Sequence, residues 1–130
     1  MSDTETLFDA IGGEKTITAL VDYFYNKVEN DPVLMKVFPA DLQAGKVYQR
    51  LFLMQVFGGP NDYSRLRGHP RLRMRHMPFP IDQQARDLWV AYMLEAIDVV
   101  GISEPHRTQM REYMENGATF MINQPSQERP

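Results

Sequence analysis

Residues 67–81 read RGHPRLRMRHMPFPI, and the interpretation of the whole chain turns on this stretch. Arg65, Arg67, Arg71, Arg73 and Arg75 fall within eleven residues with no acid among them, and His69 and His76 lie in the same segment. Pro70 has the fixed φ of a first helical turn, whereas Pro78 lacks the N–H that a helix interior needs, so a short helix is expected to start at Pro70 and end before Pro78. In that helix Leu72 and His76 are four apart and share a face, with Met77, Phe79 and Ile81 close behind. One side of the segment is therefore apolar and the other is lined with guanidinium groups.

Outward from this core, Gly58–Gly68 is turn-rich, and the whole span from Gly58 to Ile81 reads as a long structureless gap. Long loops in compact domains usually serve function. The flanks read as helices. Ser2 and Glu5 match a capping box for a short helix closed by Gly12-Gly13. Ile17, Leu20, Val21, Phe24 and Val28 follow helical spacing over about Glu14 to Asn30, with Tyr25 at the edge of the stripe. Asp31-Pro32 opens a short segment ending at Phe38-Pro39. A helix from about Asp41 to Phe57 stops at Gly58-Gly59-Pro60. Another covers about Asp82 to Val100, with Ala85, Leu88, Trp89, Tyr92, Met93, Ala96 and Ile97 on one face. Ser103 is expected to open the last helix, which carries Met110, Tyr113, Met114, Gly117 and Met121. No convincing strand or repeat is present, so the class is all-α. The 130 residues suit one domain, spanning 1–124, with a disordered tail at 125–130.

Composition narrows the function. With 14 basic and 17 acidic residues the chain carries a net charge of -3, which gives no overall drive toward nucleic acid or anionic membrane. There are no cysteines, which excludes disulfides, thiolate metal sites and cysteine nucleophiles and fits a reducing compartment. The N-terminus shows no signal-peptide pattern, and no apolar run is long enough for a membrane span.

Three readings of the arginine strip compete. A nucleic-acid patch is expected in a basic domain, and this one is acidic. A solvated basic face is the plain alternative. The third is an anionic ligand gripped by the planar guanidinium fork. The histidine spacing does not match HExxH, so a hydrolytic zinc site is not supported; His106 reads as a surface residue. A histidine on an apolar face is commonly a satisfied core residue. Yet a large flat apolar ligand with anionic edges matches both sides of the segment at once, and haem is such a ligand, with histidine as its available axial base. On the helix from Asp41 to Phe57, Gly45, Gln49, Phe52 and Val56 share a stripe, with Tyr48 at its edge. Either Gln49 faces solvent and Gly45 eases packing, or Gly45 leaves room for a ligand to which Gln49 donates. Tyr25 and Trp89 add donors on otherwise apolar faces; taken singly, each is ordinary core packing.

Together these segments resemble a known family. AIGGEKT near the start, Phe24-Tyr25, VFP at Val37–Pro39, FGGP at Phe57–Pro60, and above all YSRLRGHPRLRMRHMPFPI followed by RDLWVAYM, are similar to the group II truncated haemoglobins over roughly Leu7 to Gln124. The resemblance implies a shortened globin: a two-on-two helical sandwich around haem b, with a long irregular segment before the proximal histidine. It implies His76 as the iron ligand and Phe38 as the aromatic against the haem face. Tyr25 and Trp89 would be distal hydrogen-bond donors, and Gly45 and Gln49 would sit at the distal-helix positions facing bound ligand. Phe52 and Phe79 join the haem contacts. Arg75 is the first choice for a propionate partner; Arg73, Tyr48 and Tyr63 are weaker ones. Phe38 is often tyrosine in this group, so that hydroxyl is missing, and Gln49 stands where an aliphatic residue is common.

The function implied is tight dioxygen binding through Tyr25, Gln49 and Trp89, in the service of redox chemistry such as nitric oxide dioxygenation or peroxidase-like turnover. Its partners would be diatomic ligands and a reductase, in a cytoplasmic monomer or homodimer that binds neither nucleic acid nor membrane. Two other readings stay open: a non-catalytic oxygen or gas binder for storage or sensing, and a haem-free helical module binding an anionic partner.

Overall fold

The structure, a computed structural model, describes residues 5–125, so Ser2 of the expected capping box and residues 126–130 of the expected tail lie outside it. Thr6 caps the first short helix, α1 (Leu7–Ala10), its hydroxyl accepting from the Asp9 N–H at 3.0 Å. Gly12 follows with φ +110°, and a Cβ there would lie 2.3 Å from the Thr16 hydroxyl, so only glycine makes this entry into α2 (Gly13–Glu29). Asp31 caps α3 (Pro32–Met35) by accepting from the Val33 and Leu34 N–H groups, with proline at the first helical position. The long α4 (Gln43–Val56) starts two residues later than expected, after Asp41 accepts from the Gln43 N–H. Asp82 caps α7 (Gln83–Val99) through Ala85 N–H. The last helix, α8 (His106–Phe120), begins later than Ser103; the Glu104 carboxylate accepts from the Thr108 N–H instead.

The apolar periodicity of α2 becomes the centre of the core. Ile17, Leu20, Phe24 and Val28 are fully buried, and they meet Met93, Ala96 and Ile97 of α7 and Met110 and Met114 of α8. Each of the larger side chains removed from water stabilises the fold by roughly 1.5–3 kcal/mol. α2 packs on α4 and on α7, and α7 packs on α8, which gives two helical pairs in two layers. No strand forms among the described residues.

The span from Gly58 to Ile81 is not the structureless gap expected of it: Gly58–Gly68 contains α5 (Asp62–Arg67), which the turn-rich composition did not announce, and the short helix expected between Pro70 and Pro78 forms as α6 (Leu72–His76). Tertiary contact makes α5 helical: Gln55 of α4 donates to the Ser64 hydroxyl at 2.8 Å and accepts from the Ser64 N–H at 2.9 Å. Pro70 does not start α6. Arg71, at φ +46°, turns the chain first, with its N–H bonded to His69 Nδ1 at 3.2 Å. Val56, expected on the stripe of Gly45 and Gln49, is 40% exposed. The buried side of α4 is instead Leu51, Leu53 and Met54.

Candidate functional site

Between the two layers lies a cavity of about 480 Å³. It borrows side chains from α2, α4, α5, α6, α7 and α8. Of the residues singled out from the sequence, the fold brings Tyr25, Phe38, Gly45, Tyr48, Gln49, Phe52, Tyr63, Arg75, His76, Phe79 and Trp89 to its wall. Arg73 does not join them: its guanidinium reaches the Ile122 carbonyl at 3.3 Å and lies 5.8 Å from the Phe120 ring, tied to the end of α8.

His76 is the last residue of α6 and half-buried. Its Nδ1 lies 2.6 Å from the Leu72 carbonyl, one turn back, so Nδ1 donates there and Nε2 is the nitrogen left for a ligand. The shared face of Leu72 and His76 thus does more than pack. Among the described residues no cluster of three His, Asp or Glu side chains is placed to hold a metal ion.

Tyr25 is 7% exposed and stands edge-on to Phe24 and Phe38. Burial pushes its hydroxyl up to about 12, so it stays protonated and able to donate across the neutral range. A Cβ on Gly45 would sit 3.2 Å from that hydroxyl, which places the tyrosine's polar end against α4 one turn from Gln49. The Gln49 side chain was expected to donate. In the structure its Oε1 is buried without a partner, so the group left wanting is an acceptor. A half-turn of the amide would present the NH₂ instead. A buried carbonyl oxygen without a partner costs about 1–3 kcal/mol until a guest satisfies it. Trp89 reaches the same cavity from α7, edge-on to Phe24 at 5.3 Å.

The rim is basic. Arg75 is half-buried; its Nε donates to the Pro70 carbonyl at 2.7 Å and its Nη2 to the Arg67 carbonyl at 2.9 Å. Arg67, which the sequence did not distinguish from its neighbours, stacks 4.2 Å from the Tyr48 ring and also reaches the cavity. Tyr63 is buried and packs edge-on to Phe52 and Tyr48, an aromatic wall. Leu72, which shares the face of His76, lines the cavity as well, and so does Gly117 of α8, which had no motif to announce it and where an added Cβ would meet nothing within 4 Å. An apolar bay, one free imidazole nitrogen, an unpaired amide and guanidinium groups at the edge fit a haem: macrocycle, iron and carboxylates each meet a suitable group.

Comparison with known proteins agrees with this geometry. The model of a family described as bacterial-like globin matches residues 6–123. The group 2 truncated hemoglobin YjbI of Bacillus subtilis is 41% identical over 117 residues, covering 90% of this chain and 88% of that one. The solved hemoglobin of Chloroflexus aurantiacus superposes with a TM-score of 0.91 at 53% identity, covering 93% of this chain and all (100%) of its own. The truncated oxygen-avid haemoglobin of Bacillus subtilis superposes with a TM-score of 0.86 at 39% identity, covering 92% of this chain and 100% of its own.

Proposed function

The chain belongs to the bacterial-like globins and, among them, to the group II truncated haemoglobins, and on that footing we propose that it holds a haem b on His76 and uses it for redox chemistry on dioxygen rather than for delivering it. The haem supplies an iron that binds diatomic gases and exchanges electrons. The residues around it do the rest. His76 Nε2 would coordinate it, with the ring oriented by the Leu72 carbonyl. Arg75 and Arg67, at the cavity wall, would meet its propionates. Tyr25 and Trp89 would give hydrogen bonds to a guest that carries negative charge, and Gln49 would join them once its amide turns to present the NH₂ in place of Oε1. The observation that carries this reading is that a buried, protonated Tyr25 hydroxyl lies against Gly45, one turn from Gln49, whose Oε1 is buried without a partner. Both groups await a small polar guest in an otherwise apolar bay. That a similar Bacillus subtilis protein is oxygen-avid supports the same reading. A ligand held this firmly is poorly suited to delivery, whereas donors that retain it also favour its reaction with nitric oxide, or the polarisation of a peroxide. The absence of cysteine fits a reducing cytoplasm, where a reductase would return the electrons consumed.

The first test is an absorption spectrum of the purified chain, oxidised and reduced, with carbon monoxide added; a chain that stays colourless after incubation with hemin rules the reading out. The second is dioxygen release followed by stopped flow. Charge-assisted hydrogen bonds contribute about 1.5–3 kcal/mol each, so Tyr25→Phe is expected to speed release roughly tenfold to a hundredfold. An unchanged rate would show that the hydroxyl takes no part. Turnover of nitric oxide or peroxide no faster than that of free haem would leave gas binding as the function.

A further inference from the structure

The segment that follows α6 cannot satisfy its own backbone. Pro78 and Pro80 have no N–H, and Pro80 stands where the donor to the His76 carbonyl, four residues on, would be. That carbonyl accepts from the Phe79 N–H at 3.0 Å, but the Phe79 carbonyl and both polar groups of Ile81 still need partners. They find them just beyond α8, at Asn123 and its neighbour Gln124. Asn123 Nδ2 donates to the His76 carbonyl at 3.2 Å and to the Phe79 carbonyl at 2.9 Å. Asn123 Oδ1 accepts from the Ile81 N–H at 2.9 Å, and the N–H groups of Asn123 and Gln124 donate to the Ile81 carbonyl at 2.9 and 3.0 Å. A neutral amide suits this place because the bonds need two donors and one acceptor on a single side chain. All three clasped residues, His76, Phe79 and Ile81, line the cavity.

We propose that Asn123 is a positioning residue for the coordinating imidazole. The Leu72 carbonyl fixes the ring, while Asn123 fixes the backbone from which the ring projects, so that Nε2 is held at one depth in the cavity. This rests on the haem reading above. Partners that orient a metal ligand without touching the metal typically change metal affinity 10–100-fold when removed.

The test loads wild-type, Asn123→Ala, Asn123→Asp and Met110→Ala chains with hemin. It measures hemin transfer to excess acceptor apoglobin and the iron–histidine stretching band of the ferrous form. Met110 is fully buried and makes none of these contacts, so its variant reports general loss of stability. Asn123→Ala is expected to speed transfer roughly 10–100-fold and to shift or broaden the band. Asn123→Asp, which keeps the acceptor but sets a carboxylate against two carbonyls, is expected to be at least as severe. Met110→Ala should lower the melting temperature and leave the band in place. Asn123 variants with the wild-type band and transfer rate, or a Met110 variant that moves both equally, would overturn the proposal. A wild-type chain that takes up no hemin would overturn the haem reading itself, which is a separate and distinguishable result.

Discussion

At the scale of single residues, Gly117 is the least conspicuous part of the cavity and one of the more informative. It lies inside α8, where glycine costs about 1 kcal/mol relative to alanine, and nothing in the protein occupies the space its missing Cβ leaves. Gly117→Ala is therefore expected to raise the stability of the haem-free chain by up to about 1 kcal/mol in urea titrations. The same variant should take up hemin more weakly, because the methyl enters the bay. A variant that binds hemin as well as wild type would mean that the guest does not approach α8 there. Residues of this kind were not legible in the sequence: glycine in a helix reads as a packing device until the opposing wall is known. Tyr25, Gln49 and Trp89 could be singled out because a polar atom on an apolar stripe needs a partner, and the fold does bring the three to one cavity. The arginines were the reverse case. Five alternating guanidinium groups carry no sign of which face the cavity, and the fold puts Arg67 and Arg75 there while Arg73 joins the end of α8.

At the scale of elements, α2, α4, α7 and α8 were legible because each has a long apolar period, whereas their ends were less so, α4 starting two residues late and α8 after Ser103. The helical turns α5 and α6 were legible only in part. Six and five residues are too few to show a period, and contacts from distant segments decide their geometry, Gln55 with Ser64 in one case and Asn123 with the residues after His76 in the other. The junction of α3 with α7 depends on another long-range pair: the Tyr92 hydroxyl donates to the Asp31 carboxylate, which also caps α3. That bond, followed by the two capping N–H groups, holds the Asp31 carboxyl below its usual value of 3.8. A carboxyl lowered by folding adds stability above its unfolded value and loses it as the pH falls through the folded one. Tyr92→Phe is thus expected to cost about 1.5 kcal/mol near neutral pH. The difference between variant and wild type should shrink as the pH drops below the ordinary carboxylate range. Thermal unfolding across pH would show this; a penalty that stays constant down to acid would place the role of Tyr92 in packing.

At the scale of the whole molecule, the cavity lies between the layers, so the two helical pairs are joined across it by fewer side chains than a filled core would supply. A ligand bound only by the folded chain stabilises it by about 4 kcal/mol at a thousandfold excess over its dissociation constant. For a domain of this size that raises the melting temperature by roughly 10 °C or more. Hemin is expected to produce such a rise in the wild-type chain and a much smaller one in His76→Ala. Equal shifts in both would mean that the imidazole contributes nothing to retention.

The bond between His76 Nδ1 and the Leu72 carbonyl has a consequence that outlasts the side chain making it. If His76→Gly removes the ring, the carbonyl still points into the vacated space, ready to accept an N–H. Free imidazole added to hemin-loaded His76→Gly can therefore dock with one nitrogen on that oxygen and the other toward the iron, restoring the lost spectrum by chemical rescue. 1-Methylimidazole, whose substituted nitrogen has no hydrogen to give, should rescue far less well at the same concentration.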